Sequence, residues 1–251
     1  MEGLQPKKAW YRRWWGIVLI IFLVLFLIVV GFIGATIFSY WQQIKNGGGA
    51  LLERQVYAGF TTETSNTSAF GSITAPSRAD LERSDSPYLG SASAPIVIVE
   101  FLDFRCPNCD TAAPIMRQVL QKYGNKVKLI VRHFPVESTH PGASRYAEVA
   151  WCAQQQGRFW PVLNYFFDHQ AELSPALSGD ELAGMAAAAQ VDVPTLATCL
   201  TGSSAAQTAV NRDYVDGAKF GVRGTPTFFI NGEKVEGVIP ATVWDSFLKQ
   251  Q

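Results

Sequence analysis

Apolar and polar positions divide the chain into three stretches. From Ile17 to Phe38 nearly every residue is Ile, Leu, Val or Phe, and no charged residue occurs between Trp14 and Ile44. About 20 such residues cross about 30 Å of hydrocarbon as a helix, so residues 16–40 are predicted to span a membrane. Trp14 and Trp15 at one end and Tyr40 and Trp41 at the other suit the two interfacial belts. A cleavable signal peptide, the alternative, would carry an apolar run of only about 7–15 residues ending in small side chains. Here the run is longer and ends in Thr36-Ile37-Phe38-Ser39-Tyr40.

Residues 41–86 lose any apolar period. Asn46-Gly47-Gly48-Gly49 breaks the chain, and residues 61–79 are rich in Thr, Ser, Ala and Gly. They are read as a flexible stalk with a short helical piece around Ala50–Tyr57. Asn66-Thr67-Ser68 matches a glycosylation sequon, a motif short enough to recur by chance.

Residues 87–251 carry the periods of a folded domain. Ile96 to Phe104 is apolar without alternating, which predicts a strand covered on both faces. Ile115, Val119, Leu120 and Tyr123 then recur at helical spacing, and Val127 to Phe134 is a second strand. Strand–helix–strand implies a parallel pair with a crossover helix. A helical block follows over about 138–220, including the capping box Ser178–Glu181. Thr227-Phe228-Phe229-Ile230, the Asn231-Gly232 turn and Glu233–Gly237 read as a hairpin. Val243, Trp244, Phe247 and Leu248 close the chain as an amphipathic helix. The class is α/β.

Charge adds an address. Lys7, Lys8, Arg12 and Arg13 precede the apolar run, and only Lys45 and the more distant Arg54 follow it closely. Positive flanks stay inside, so residues 1–15 are expected in the cytoplasm and everything beyond residue 41 outside it. The chain would be a single-pass protein of the cell membrane, partnered by the bilayer, with an extracytoplasmic domain. Beyond position 45 there remain 16 basic against 20 acidic residues. That mildly acidic balance excludes a nucleic-acid partner, which needs a basic footprint. Disulfides persist in such a compartment.

The candidate chemistry lies where the first strand meets its helix, at Cys106-Pro107-Asn108-Cys109. Cys106, at the helix N-terminus, meets unpaired N–H groups and the helix dipole, which favour a thiolate. It is the expected nucleophile and the exposed sulfur; Cys109, a turn further in, is the expected resolving thiol. A structural zinc site would need four ligands, usually as two close pairs. Cys152 and Cys199 are singletons, and His133, His140 and His169 stand in unrelated contexts as structural or surface residues. No metal is therefore expected. Glu100 sits inside the buried strand, where a raised pKa would let it exchange a proton with Cys109; otherwise it lies at the sheet's end and reaches water. Asp103 and Arg105 read as solvated flanks, and the aromatic cluster Phe159, Trp160, Tyr165, Phe166 and Phe167 as core. Two unpaired thiols are a liability outside the cytoplasm, so Cys152 and Cys199 are expected to form a structural disulfide.

Residues from about Asp85 to Gln251 resemble the DsbA-like family of extracytoplasmic thiol:disulfide oxidoreductases. The resemblance rests on Val99-Glu100-Phe101 running into Cys106-Pro107-Asn108-Cys109, on Gln156-Gly157-Arg158-Phe159-Trp160, and on Gly221-Val222-Arg223-Gly224-Thr225-Pro226-Thr227-Phe228-Phe229. It implies a thioredoxin fold with a helical insertion between the second strand and a strand opened by a cis proline. It implies a cis Thr225–Pro226 peptide against the redox pair, with Thr225 docking the substrate's backbone, and an acidic residue beneath the site at Glu100. It further implies disulfide formation in exported, periplasmic proteins, a quinone-linked reoxidant of the DsbB or VKOR type, and no cofactor beyond the redox-active disulfide. The dipeptide Pro107-Asn108 lacks the His of the most oxidising members, which keeps a reductase or isomerase open. A non-catalytic protein holding Cu(I) between Cys106 and Cys109 is the remaining alternative.

Overall fold

The computed structural model describes residues 14–45, 76–202 and 204–250. The sequon and the expected helical piece at 50–57 lie outside them. The chain divides into two compact units, residues 1–58 and 59–251. In the first, Trp14–Lys45 forms helix α1. Its segment Val18–Thr36, with mean hydropathy 3.3, is long and apolar enough to cross a membrane. Its Leu, Ile, Val and Phe side chains are exposed rather than packed, and the Thr36 hydroxyl donates to the carbonyls of Phe32 and Ile33 in its own helix. Such internal satisfaction is what hydrocarbon demands of a polar group.

The second unit is built on a five-stranded sheet of order β1-β3-β2-β4-β5. The strands are β1 (Tyr88–Gly90), β2 (Ile96–Leu102), β3 (Val127–His133), β4 (Thr227–Ile230) and β5 (Glu233–Glu236). β2 and β3 run parallel, and the other pairs are antiparallel. All seven residues of β2 are buried, as its unbroken apolar run requires. Helix α3 (Pro107–Tyr123) joins β2 to β3. Asn231 and Gly232 both take positive φ in the β4–β5 turn, and the Asn231 side chain accepts the Val97 amide at 2.8 Å, extending the ladder to β2.

On one face of the sheet Val97, Val99, Phe101, Ile130 and Phe229 form a core with Leu81, Phe134 and Val222. On the other, Glu100 and Leu102 face α3, and Phe228 packs edge-on against Trp244 of the last helix, α9 (Ala241–Lys249). Between β3 and β4 lie α4 (Ala143–Gln154), α5 (Phe159–Asp168), α6 (Gly179–Ala189), α7 (Val193–Gly202) and α8 (Ala205–Lys219). Helix α8 rests directly on the sheet at Gly217, where a Cβ would come within 2.8 Å of the Phe134 ring. Arg132, fully buried on β3, ties that helix down: its Nε donates to Asp213 at 2.8 Å and its Nη2 to Asp216 at 2.7 Å.

The folded unit begins earlier than the expected stalk boundary at residue 86. Ser77 and Asp80 cap the short helix α2 (Arg78–Leu81), Leu81 and Ser86 are buried, and β1 pairs with β3. One anchoring leucine in a polar stretch leaves no periodic signal, which is why the segment reads as linker. Within the helical block, a disulfide joins Cys152 of α4 to Cys199 of α7 with Cα atoms 5.9 Å apart, across 47 residues. By the loop-closure argument, replacing both cysteines with alanine should lower unfolding free energy by about 2–4 kcal/mol. Denaturant titration of the oxidised parent and the double variant checks this.

Candidate functional site

The candidate redox pair, Cys106 and Cys109, is placed by the end of β2. Cys106 is the N-cap of α3, with Pro107 in the first turn, where its missing N–H is no loss. The Cys106 amide donates to the Asp103 carbonyl at 3.1 Å, and the Cys106 carbonyl accepts from the amides of Cys109 and Asp110 at 3.0 and 3.1 Å. Opposite the thiols the Thr225–Pro226 peptide is cis, and as a thiol Cys106 Sγ donates to the Thr225 carbonyl at 3.2 Å. Both cysteines are free thiols. Cys106 is not the exposed sulfur anticipated from its place in the sequence: it is 5% accessible against 1% for Cys109, because the Thr225–Pro226 loop sits against it.

The two thiols are driven apart electrostatically. Cys106 is lowered from 9.0 to about 5, chiefly by the S–H of Cys109 donating to its sulfur. Burial opposes this, while the Thr225 hydroxyl and the amides of Cys109 and Asn108 add to it. While Cys106 is a thiol that hydroxyl is buried with no hydrogen-bond partner among the described residues, so it is free to donate once the sulfur is ionised. Cys109 is pushed well above its ordinary value, first by burial and then by the neighbouring Cys106 sulfur. Glu100, on β2 facing α3, is 4% exposed. Burial alone lifts its carboxyl from 4.5 to about 8, and it has no hydrogen-bond partner among the described residues. Of the two readings for Glu100, the structure shows the buried one; it also raises Cys109 through charge repulsion.

Asp103 and Arg105 are not solvated flanks. The Asp103 carboxylate is buried and accepts the Arg105 amide at 2.8 Å, the Val136 amide at 2.9 Å and the His140 ring Nδ1 at 2.7 Å. Arg105 donates through Nη1 to the Leu173 carbonyl at 2.8 Å and lies over the Tyr146 ring. A polar pair beside an apolar strand reads as surface in one dimension; here the folded chain supplies enough donors to bury the Asp103 carboxylate and leaves Arg105 partly buried. Gln170, missed entirely, donates through Nε2 to the carbonyls of Phe104 and Cys106 at 2.9 and 3.0 Å. A lone glutamine after an aromatic helix carries no signal of that contact. Phe159, Phe166 and Phe167 are core, whereas Trp160 and Tyr165 are only partly buried. Cys152 and Cys199 belong to the helical block, in a disulfide of their own. Among the described residues no three His, Cys, Asp or Glu side chains converge as a metal site.

Comparison with known proteins places this geometry. A family model described as Thioredoxin matches residues 82–250. The chain is 38% identical over 149 residues to the Na(+)/H(+) antiporter NhaA 1 of Salinispora arenicola, covering 59% of this chain and 22% of that protein. It is 36% identical over 149 residues to NhaA 3 of Salinispora tropica, with the same coverage of 59% and 22%. The chain thus spans about a fifth of the length of these curated relatives. Among solved structures, a thioredoxin-like oxidoreductase from Silicibacter pomeroyi superposes with TM-score 0.59 at 21% identity, covering 70% of this chain and 97% of that one. Wolbachia pipientis α-DsbA1 gives 0.59 at 20%, covering 68% and 92%. The chain therefore belongs to the thioredoxin family, with the fold of its DsbA-like thiol:disulfide oxidoreductases.

Proposed function

We propose that the chain is a membrane-tethered thiol:disulfide oxidoreductase that forms disulfides in exported proteins through Cys106 and Cys109. The place of Cys106 at the N-cap of α3, where the Cys109 thiol and the amides of Asn108 and Cys109 can donate to its sulfur, carries this reading. Stabilising the thiolate stabilises the dithiol form, and a couple whose reduced form is stabilised is an oxidant. A substrate thiolate attacks Cys106 of the disulfide, the S–S bond breaks, and Cys109 leaves and takes a proton from Glu100. A second substrate thiolate then attacks the substrate sulfur of the mixed disulfide and expels Cys106 as the stabilised thiolate. The substrate loses two electrons and the chain retains them as a dithiol. Reoxidation is assigned to a quinone-linked membrane partner of the DsbB or VKOR type. The Thr225 backbone beside Cys106 is the docking edge for an extended substrate.

Helix α1 and the basic residues before it support tethering with the domain outside the cytoplasm. So does the occurrence of a matching segment within longer proteins named as antiporters. A reductase or isomerase would use the same atoms at a lower potential, and Pro107-Asn108 is the feature that favours it.

Equilibration of the Cys106/Cys109 couple with glutathione separates these readings. A potential well above thioredoxin's value of about −270 mV is expected, and one near it would sink the oxidase reading. In a Cys109→Ala variant, mixed disulfides should accumulate on Cys106; capture through another residue would refute the assigned roles.

The thiolate titration, followed by absorbance at 240 nm, should have its midpoint near pH 5. Thr225→Val should raise it by roughly one pH unit, the worth of one hydrogen bond to a charged group. Since the folded value lies below the ordinary 9.0, this thiolate stabilises the dithiol form fully above pH 9, and the benefit is lost as pH falls through about 5.

Glu100 has the opposite sign. Its folded value of about 8 lies above the ordinary 4.5, so its contribution is fully present below pH 4.5 and lost as pH rises through 8. Glu100→Gln should therefore be more stable than the parent at pH 8 by on the order of 4 kcal/mol, with the difference vanishing near pH 4. Melting curves at the two pH values measure it.

A further inference from the structure

The helices over β2 do not close completely. Between α3 and α5 lies a cavity of about 330 Å³, walled by Met116, Leu120, Leu163 and Phe167, floored by Leu129, and reached by Glu100. A wholly apolar cavity of about 150 Å³ already accommodates benzene, so this one has room for a substituted ring and lies at the small end of ligand-sized pockets. Leu89, on the exposed strand β1, borders it and is itself 43% exposed.

An apolar hole alone would say nothing about its occupant. The informative feature is Glu100, 96% buried and without a hydrogen-bond partner among the described residues. A polar group in apolar surroundings costs free energy until a partner arrives. We propose that this cavity is a binding site for a small neutral molecule, an apolar ring bearing one hydrogen-bond-accepting oxygen, with that oxygen accepting from the Glu100 carboxyl.

The surrounding charges select this class. Arg117, the cation bordering the cavity, has its guanidinium engaged by Asn164 at 3.1 Å and Asp168 at 3.0 Å. An anionic head therefore finds no free counter-charge. The Glu100 carboxyl holds its proton up to about pH 8, so at neutral pH it is a donor seeking an acceptor. Long amphiphiles exceed the volume, and a pure hydrocarbon leaves the carboxyl unpaired.

The methionines supply a reporter. Of the three, Met1, Met116 and Met185, Met116 lines the cavity, while Met185 does not line it and is fully buried among the helices of the inserted block. The experiment titrates the full chain, in nanodiscs and labelled with methyl-¹³C methionine, with acetophenone and, separately, with ethylbenzene, which lacks the acceptor. The Met116 methyl should shift saturably at millimolar acetophenone while Met185 holds still, and Leu120→Trp, which fills the space, should abolish the shift. In Glu100→Leu the affinity ratio of acetophenone to ethylbenzene should fall by roughly threefold to tenfold, the worth of one hydrogen bond. Taking the ratio cancels partition into the disc and any change in cavity size. An unmoved Met116 in the unmodified chain, an equal shift of Met185, or a ratio indifferent to Glu100→Leu would each overturn the proposal.

Discussion

Only one negative charge can be held beneath the redox loop, and the arrangement of the site follows from that. Glu100, Cys109 and Cys106 are three acidic groups at one end of a sheet, all nearly sealed from water. Two of them receive too little in return for lost solvation, and both retain their protons at neutral pH. The third receives the S–H of Cys109, a hydroxyl and two backbone amides at a helix N-terminus. The charge goes where the donors are. Because Cys109 is itself the leading donor, the proton that cannot leave Cys109 is what makes the Cys106 thiolate stable.

This balance depends on where Cys106 stands, and the helical block helps to hold it there. Asp103 fastens the loop between β2 and α3 from below through three donors, two of them from the segment following β3. Gln170 and the Leu173 carbonyl grip the same loop from the far side of α5. A buried carboxylate stripped of such partners would cost several kcal/mol; with three, it becomes a fixed point. The insertion therefore shapes the candidate redox site as well as covering the sheet, and the disulfide between α4 and α7 braces the insertion internally.

What could be read in the sequence and what could not divide along a physical line. Periodicity gave away β2 and α3, because burial on both faces or on one stripe leaves a one-dimensional trace, and the Asn231-Gly232 turn gave away the hairpin. Chain-local chemistry did the same for Cys106-x-x-Cys109 and for the Ser178–Glu181 cap. Contacts made across the fold left no trace: Asp103 with His140, Gln170 with Cys106, Leu81 in the core that holds Phe101. Asp103 was misjudged because a charged residue at a strand's end is normally solvated, and only tertiary structure supplies the donors that change this. Cys106 was expected to be exposed for a similar reason, since the loop that covers it lies more than a hundred residues away.

The two faces of the sheet treat buried charge in opposite ways, and the contrast separates structure from chemistry. On the α8 face Arg132 is completely buried, but two carboxylates and the Asp80 carbonyl saturate its guanidinium. Removing one partner there would strand a charge, so the cluster acts as a bolt between helix and sheet. On the α3 face Glu100 is nearly as deep and has nothing comparable among the described residues. A carboxyl that only served the fold would be better replaced by an apolar residue, because burying it unpaired costs stability at every pH at which its unfolded form is ionised. Its presence opposite a cavity, within electrostatic reach of Cys109, suits the proton exchange and ligand binding proposed for it, two tasks for which an unsatisfied carboxyl is an advantage.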